Sequence, residues 1–283
     1  MDTFHPTVIL PILERDPLVD ISGKTIVVTG AGNGIGRAVT LLLLSKGALV
    51  AGVDLNAAGL AETAEQAGAG ARFSQHEVNI TDREAVAALP AQVVEKHGQI
   101  DGLINIAGVI QQFVRVVDLP YSEIEKVMNV NFWGTINTCK AFLPTLLTRP
   151  QASIINVASM GAYTPVPGQA VYGASKAAVA LLTEALYAEL LDTKVSVGII
   201  YPGSIATDIA VNSGLAAMDE SSDAPQQKTT SPQEAAEVIV TAIEKEKFRA
   251  TIGSDAAMLD KLSRLNPKFA TRMLAKKMGG LLG

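Results

Sequence analysis

The chain has 283 residues, 48% of them hydrophobic and 18% charged, with a net charge of −5. This composition describes an ordered globular protein and excludes a disordered chain or one that coats nucleic acid with a basic surface. The length does not force two domains, because a single α/β unit commonly reaches this size.

Residues 1–22, Met1 to Ser22, carry Pro6, Pro11 and Pro17, which interrupt any helix or central strand, and are read as an N-terminal extension. The start Met1-Asp2 also lacks the basic flank of a secretory signal, so a cytoplasmic protein is expected. From Lys24 onward, short β-branched runs alternate with longer amphipathic stretches, the pattern of βα units feeding a parallel sheet. The strands are predicted over Thr25–Thr29, Leu49–Val53, Arg72–Val78, Gly102–Asn105, Ser153–Ala158, Val195–Tyr201 and Ala250–Ile252. The helices are predicted over Ile35–Lys46, Asn56–Gln66, Arg83–Lys96, Tyr121–Leu147, Tyr172–Leu191 and Pro232–Lys247. The fold class is therefore α/β, a doubly wound parallel sheet of about seven strands with helices on both faces, filling residues 23–254. No apolar stretch reaches the ~18 residues of a membrane span. The single Cys139 cannot form an internal disulfide and has no Cys or His neighbours of the kind a metal site requires, so a reducing compartment and no metal are expected.

The first strand runs directly into Thr29-Gly30-Ala31-Gly32-Asn33-Gly34-Ile35-Gly36-Arg37 and then a helix. Glycines there permit a sharp turn, close approach of a pyrophosphate to the backbone, and tight packing of helix on strand, with the helix N-terminus facing the anion. Eighteen residues after Gly36, the second strand ends at Asp54, where a carboxylate can accept from both adenosine ribose hydroxyls. A 2′-phosphate would set like charges together, and Asn33, Leu55 and Asn56 supply no cation, so NAD is expected rather than NADP. Asp54 could instead serve as a turn residue or helix cap, but its spacing from the glycines favours the ribose.

Further along come Asn105-Ile106-Ala107-Gly108, then Asn131 within Asn129-Val130-Asn131-Phe132-Trp133-Gly134, then Ser159, and then Tyr172-Gly-Ala-Ser-Lys176. With Gly30, Gly34 and Gly36, these segments resemble the short-chain dehydrogenase/reductase family in its form of one Rossmann-like domain, over roughly Ser22 to Gly253. The chemistry of the residues agrees. Tyr172 and Lys176 lie four apart and so share one helix face, where an ammonium is expected to lower the phenol pKa and make it an acid/base. Ser159 can donate to the substrate oxygen and hold it beside Tyr172.

The resemblance implies more. Asn131 would be the fourth catalytic member, supporting a water chain to the lysine. Lys176 would also reach the nicotinamide ribose. Pro202, Gly203, Ile205 and Thr207 would contact the nicotinamide end. Two departures stand out: Asn79-Ile80 replaces the family's Asp and aliphatic pair at the adenine, and Asn105-Ile106 replaces a double asparagine. Asn79 keeps both a donor and an acceptor, so binding should survive. The resemblance also implies a homo-oligomer, tetramer or dimer, built through the two long helices.

The segment Thr207 to Ser231 is read as a mobile loop able to close over substrate, with Ile209, Val211, Leu215 and Met218 as apolar lining. Gln111, Gln112, Phe113, Val114 and Tyr163 to Val166 are further cleft candidates. No Arg or Lys is aimed at a substrate carboxylate, so a lipophilic secondary alcohol or ketone, such as a steroid or terpenoid, is expected. Residues 255–283 form a basic amphipathic tail, with Met258, Leu262, Leu265, Phe269 and Met273 at helical spacing among Lys261, Arg264, Lys268, Arg272, Lys276 and Lys277. It is expected to pack on the core or on a neighbouring subunit, with peripheral contact to an anionic membrane as the alternative. A catalytically silent NAD-binding regulator is the rival reading of the whole chain. Ser159, Tyr172 and Lys176 argue against it, since a pure binder has no need of a polarised phenol.

Overall fold

The computed structural model describes residues 18–207, 209–213 and 229–278. Seven strands form one sheet: β1 (Thr25–Thr29), β2 (Leu49–Asp54), β3 (Phe73–Glu77), β4 (Gly102–Asn105), β5 (Ala152–Val157), β6 (Val195–Pro202) and β7 (Arg249–Ile252). They lie in the order β3-β2-β1-β4-β5-β6-β7, and every pairing is parallel. The central strand β1 sets Ile26 opposite Val50 of β2 on one side and Gly102 of β4 on the other. The strand order reverses between these neighbours, which opens a crevice at the carboxyl ends of the strands.

Alternate residues of each strand point to opposite faces. On one face, Ile26, Val28, Ile104, Ile155 and Ile200 pack with Val39 and Leu43 of α1 (Gly34–Ser45) and Ile239 and Ile243 of α8 (Pro232–Glu244). On the other, Val27, Leu103, Ile154 and Val197 meet Leu89 and Val93 of α3 (Arg83–His97), Phe142 and Leu146 of α5 (Gly134–Leu146), and Leu186 of α6 (Ala170–Glu189). Each such large side chain contributes about 1.5–3 kcal/mol when withdrawn from water. The remaining helices are α2 (Ala57–Ala67), α4 (Tyr121–Met128), the short α7 (Ile209–Asn212), α9 (Ser254–Leu265) and α10 (Pro267–Met278). Helix starts follow local chemistry: Asp82 caps α3 through the Glu84 and Ala85 amides, and Ser231 with Glu234 forms a capping box ahead of Pro232.

Two expectations need correction, the undivided helix and the inward face of the tail. The single helix expected over Tyr121–Leu147 is divided by a π-helical turn, Asn129–Trp133, between α4 and α5. The extra residue in such a turn leaves no periodicity signal in the sequence. Of the expected extension, residues 1–17 lie outside the described residues; at its end the Val19 amide donates to the Glu244 carbonyl (2.8 Å) and Ile21 is buried in the core.

The tail forms α9 and α10 with a different face inward. Ala256, Leu259, Ala270 and Leu274 are buried, whereas Met258, Leu265 and Phe269 of the expected stripe are 56%, 84% and 54% exposed. The small Ala256 fits because Tyr163 Oη donates to its carbonyl (2.9 Å), and small residues carry little weight in a hydrophobic pattern. In the expected loop after Thr207, Ile209 belongs to α7, while Leu215 and Met218 lie outside the described residues. No helix among the described residues is long and apolar enough to cross a membrane.

Candidate active site

A cleft of about 450 Å³ lies at the carboxyl ends of β1, β2 and β4. Its floor is the turn between β1 and α1. Gly30 has φ +74°, and a β-carbon there would stand 3.0 Å from the Ala107 amide nitrogen, while one at Gly36 would run into the Gly30 carbonyl. Only glycine lets this turn close on itself and on the β4 loop. Asn33 caps α1 by accepting from the Gly34 amide. At the outer end, the Asp54 carboxylate accepts from the Gly32 amide (2.8 Å) and the Asn56 amide (2.9 Å), which fixes it across the turn.

Of the residues singled out from the sequence, Gly30, Asn33, Gly34, Ile35, Gly36, Asp54, Asn79, Ile80, Ala107, Gly108 and Thr207 line this cleft. Asn105 does not. Its side chain turns inward, donating to Asn156 Oδ1 (2.8 Å) and accepting from Thr138 Oγ1 (2.8 Å). The Pro202–Thr207 segment is braced from outside: the Gly203 amide donates to Ile252 and the Ser204 amide to Asp255 Oδ2 (2.8 Å), while Ile205 pairs with Thr230. That leaves Thr207 near Gly34, over the glycine turn. Val53, Val78, Val109 and Val130 also line the cleft and were missed. Each adjoins a motif residue in sequence, which was the available signal.

At the inner end, Gly108 stands beside two of the catalytic candidates, Asn131 and Lys176. A β-carbon there would meet Asn131 Oδ1 at 3.1 Å and Lys176 Nζ at 3.2 Å. Asn131 is fully buried in the π-helical turn, and its amide accepts from the Val109 N–H (2.8 Å) while donating to the Val109 carbonyl (2.9 Å) and Ser175 Oγ (2.9 Å). Lys176, 4% exposed, donates to the Val157 carbonyl (3.0 Å). Ser159 follows β5 in extended geometry, with Oγ accepting from the Gly161 amide (3.1 Å), and the Tyr172 phenol is hydrogen-bonded to it.

The electrostatics differ from the sequence expectation. Burial pushes the Tyr172 phenol above its ordinary 10.0, and only the Ser159 hydrogen bond opposes that shift. Burial also pushes the Lys176 ammonium down, to about 8. In each case desolvation penalises the charged form of the group.

A family model described as "short chain dehydrogenase" matches residues 24–217. The chain is 36% identical over 267 residues to a putative oxidoreductase, SadH, of Mycobacterium tuberculosis, covering 89% of this chain and 94% of that one. A short chain dehydrogenase from Burkholderia cenocepacia, solved in complex with NADP, superposes with TM-score 0.77 at 28% identity, over 90% of this chain and 99% of that one. A 3-ketoacyl-(acyl-carrier-protein) reductase from Brucella melitensis, complexed with NADH, gives TM-score 0.74 at 25% identity, over 82% and 96%. With the fold, the glycine turn and these likenesses in agreement, the chain belongs to the short-chain dehydrogenase/reductase family of oxidoreductases.

Proposed function

We propose that the protein interconverts a lipophilic secondary alcohol and its ketone with NAD as partner. The pairing of Ser159 with Tyr172 beside Gly161, and of Lys176 with Asn131 beside Gly108 on the wall of a dinucleotide-sized cleft, carries this reading. The cleft suits the cofactor: the glycine turn leaves room for a pyrophosphate, Asp54 faces the ribose end, and no Lys or Arg lines it among the described residues. A 2′-phosphate beside Asp54 would meet an uncompensated like charge, which favours NAD. Gly30, Gly34 and Gly36 would hold the diphosphate, Asn79 and Ile80 the adenine, Ala107 and Gly108 the path between, and Thr207, Ile205 and the Pro202-Gly203 backbone the carboxamide.

When bound, NAD(H) supplies the acceptor or donor of the hydride. Ser159 donates to the substrate oxygen and fixes it against Tyr172. In oxidation, Tyr172 as phenolate takes the hydroxyl proton, and in reduction the phenol returns it to the new alkoxide. While it keeps its proton, Lys176 favours the phenolate by its charge, and Asn131 holds the Val109 backbone and the helix carrying Lys176 in place. The experiment is a screen of secondary alcohols with NAD and NADP, followed by reduced nicotinamide absorbance. Tyr172→Phe should abolish turnover while still binding NADH; a Phe variant as fast as the parent would overturn the mechanism.

The apolar Ile209 and Val109 at the cleft support a lipophilic substrate in this reading. The outward face of α9 and α10 presents Met258, Leu265 and Phe269 beside exposed Lys261, Lys268 and Arg272, and no acidic residue follows Asp260. That charge complements an anionic bilayer, from which a cytoplasmic enzyme would collect apolar substrate. Co-sedimentation with phosphatidylglycerol vesicles should fall for Leu265→Glu/Phe269→Glu; equal sedimentation would remove this role. Exposed Leu181 and Leu191 around α6, with Trp133 and Leu147 flanking α5, suit homo-oligomeric contacts.

A further inference from the structure

Helix α6 carries both Tyr172 and Lys176, yet its own N-cap residue, Gln169, makes no side-chain cap bond. The first amides of any helix have no intrahelical acceptor and need one from elsewhere. Here it comes from Gln111, about sixty residues earlier in the chain. Gln111 Oε1 accepts from both the Val171 amide and the Tyr172 amide, each at 2.9 Å. Its Nε2 donates to the Gly168 carbonyl (2.9 Å), and its backbone carbonyl accepts from Gln169 Nε2 (2.7 Å). Gln111 is 0% exposed, so all four bonds form in a dry setting where a lost partner is not replaced by water.

Gln111 lies three residues beyond Gly108, on the segment that walls the inner end of the cleft and is itself fixed by Asn131 at Val109. The bond to the Tyr172 amide therefore ties the main chain of Tyr172 to the cleft wall, independently of the helix packing below. We propose that Gln111 is a positioning residue: its side-chain carbonyl caps the catalytic helix in trans and sets where the Tyr172 hydroxyl stands relative to Ser159, Lys176 and the substrate oxygen. This rests on the catalytic reading of Tyr172 given above. Misplacement of a reacting group by about 1 Å can cost on the order of 100-fold in rate.

Two variants test it in the full chain. Gln111→Leu removes acceptor and donor. It should bind NADH within about twofold of the parent, lose at least roughly tenfold in kcat with little change in KM, and expose the 168–176 peptide to faster amide exchange. Gln111→Glu keeps the acceptor. It should restore exchange protection and most of kcat, with the alkaline pKa of the oxidation rate moved upward by the new negative charge near the phenol.

A folded Leu variant with the parent's kcat and pH profile overturns the proposal, as does a Glu variant with restored protection but no recovered kcat. If the Leu variant does not fold, the Glu profile decides: an upward shift supports the proposal and an unmoved one refutes it. The exchange measurement needs no turnover. A parent that turned over no alcohol would thus sink the catalytic reading while leaving the cap itself separately measured.

Discussion

Lys176 is held inside with its ammonium pushed down to about 8, and this has a consequence for stability as well as chemistry. Below about pH 8 the group is charged in both folded and unfolded chains, and its desolvation weakens the fold. Between about 8 and 10.5 only the unfolded chain stays protonated, so stability rises with pH across that window. Lys176→Met should therefore melt higher than the parent at pH 7, by up to roughly 3 kcal/mol, with the gain vanishing toward pH 10.5. Urea melts at the two pH values check this. The raised phenol of Tyr172 has its own sign: oxidation requires the phenolate and should speed up through the alkaline range, whereas reduction requires the phenol and should not. Asp54→Ala should raise the use of NADP relative to NAD in initial-rate assays, with a small loss of stability because the Gly32 and Asn56 amides lose their acceptor. That Tyr172 would stand beside Ser159 and Asp54 beside the glycine turn was legible in the sequence, because such placement follows from residue type and spacing in the βα pattern. The direction of the pKa shifts was not, since burial depends on what the rest of the chain places around them. Gln111 was named only as a cleft candidate, for its amide meets residues about sixty positions away that no local pattern joins to it.

The seven strands were read nearly to the residue, because buried parallel strands are short β-branched runs with sharp ends. The helical elements were read less completely where geometry departs from 3.6 residues per turn. The π-helical turn Asn129–Trp133 looks like unbroken helix in sequence, yet it is what carries the fully buried Asn131 to the Val109 backbone. The tail shows the opposite failure: a strong apolar stripe points outward, and a weaker row of Ala and Leu points in. Polar contacts also anchor α9. Asp255 accepts from the Ser204 amide, and Asp260 pairs with Arg249 at 2.7 Å. Asp255→Ala should cost about 1–3 kcal/mol in thermal or urea unfolding and should also weaken cofactor binding in titration, because Ser204 belongs to the segment that sets Thr207 over the glycine turn. A stability loss with unchanged cofactor affinity would show that the two elements are uncoupled.

At the scale of the molecule, two apolar layers clamp one sheet, and the crevice follows from the strand order rather than from any single motif. Phe142→Ala, in a fully buried position between α5 and the sheet, should cost about 3–5 kcal/mol, whereas Leu265→Ala on the outward face should cost almost nothing in the same melts. Through the middle of that clamp runs a polar seam: Asn105 and Asn156 join each other, Thr138 and Thr183 close the ends, and the one sulfhydryl, Cys139, rests on both amides with its pKa pushed up to about 12. A thiol so shielded and so seldom ionised is inert in the native protein. The chain therefore contains its own unfolding gauge, needing no engineered label: reaction with a disulfide dye such as Ellman's reagent should be negligible in buffer and should rise in urea in step with loss of the fold, marking how often the centre of the sheet comes open.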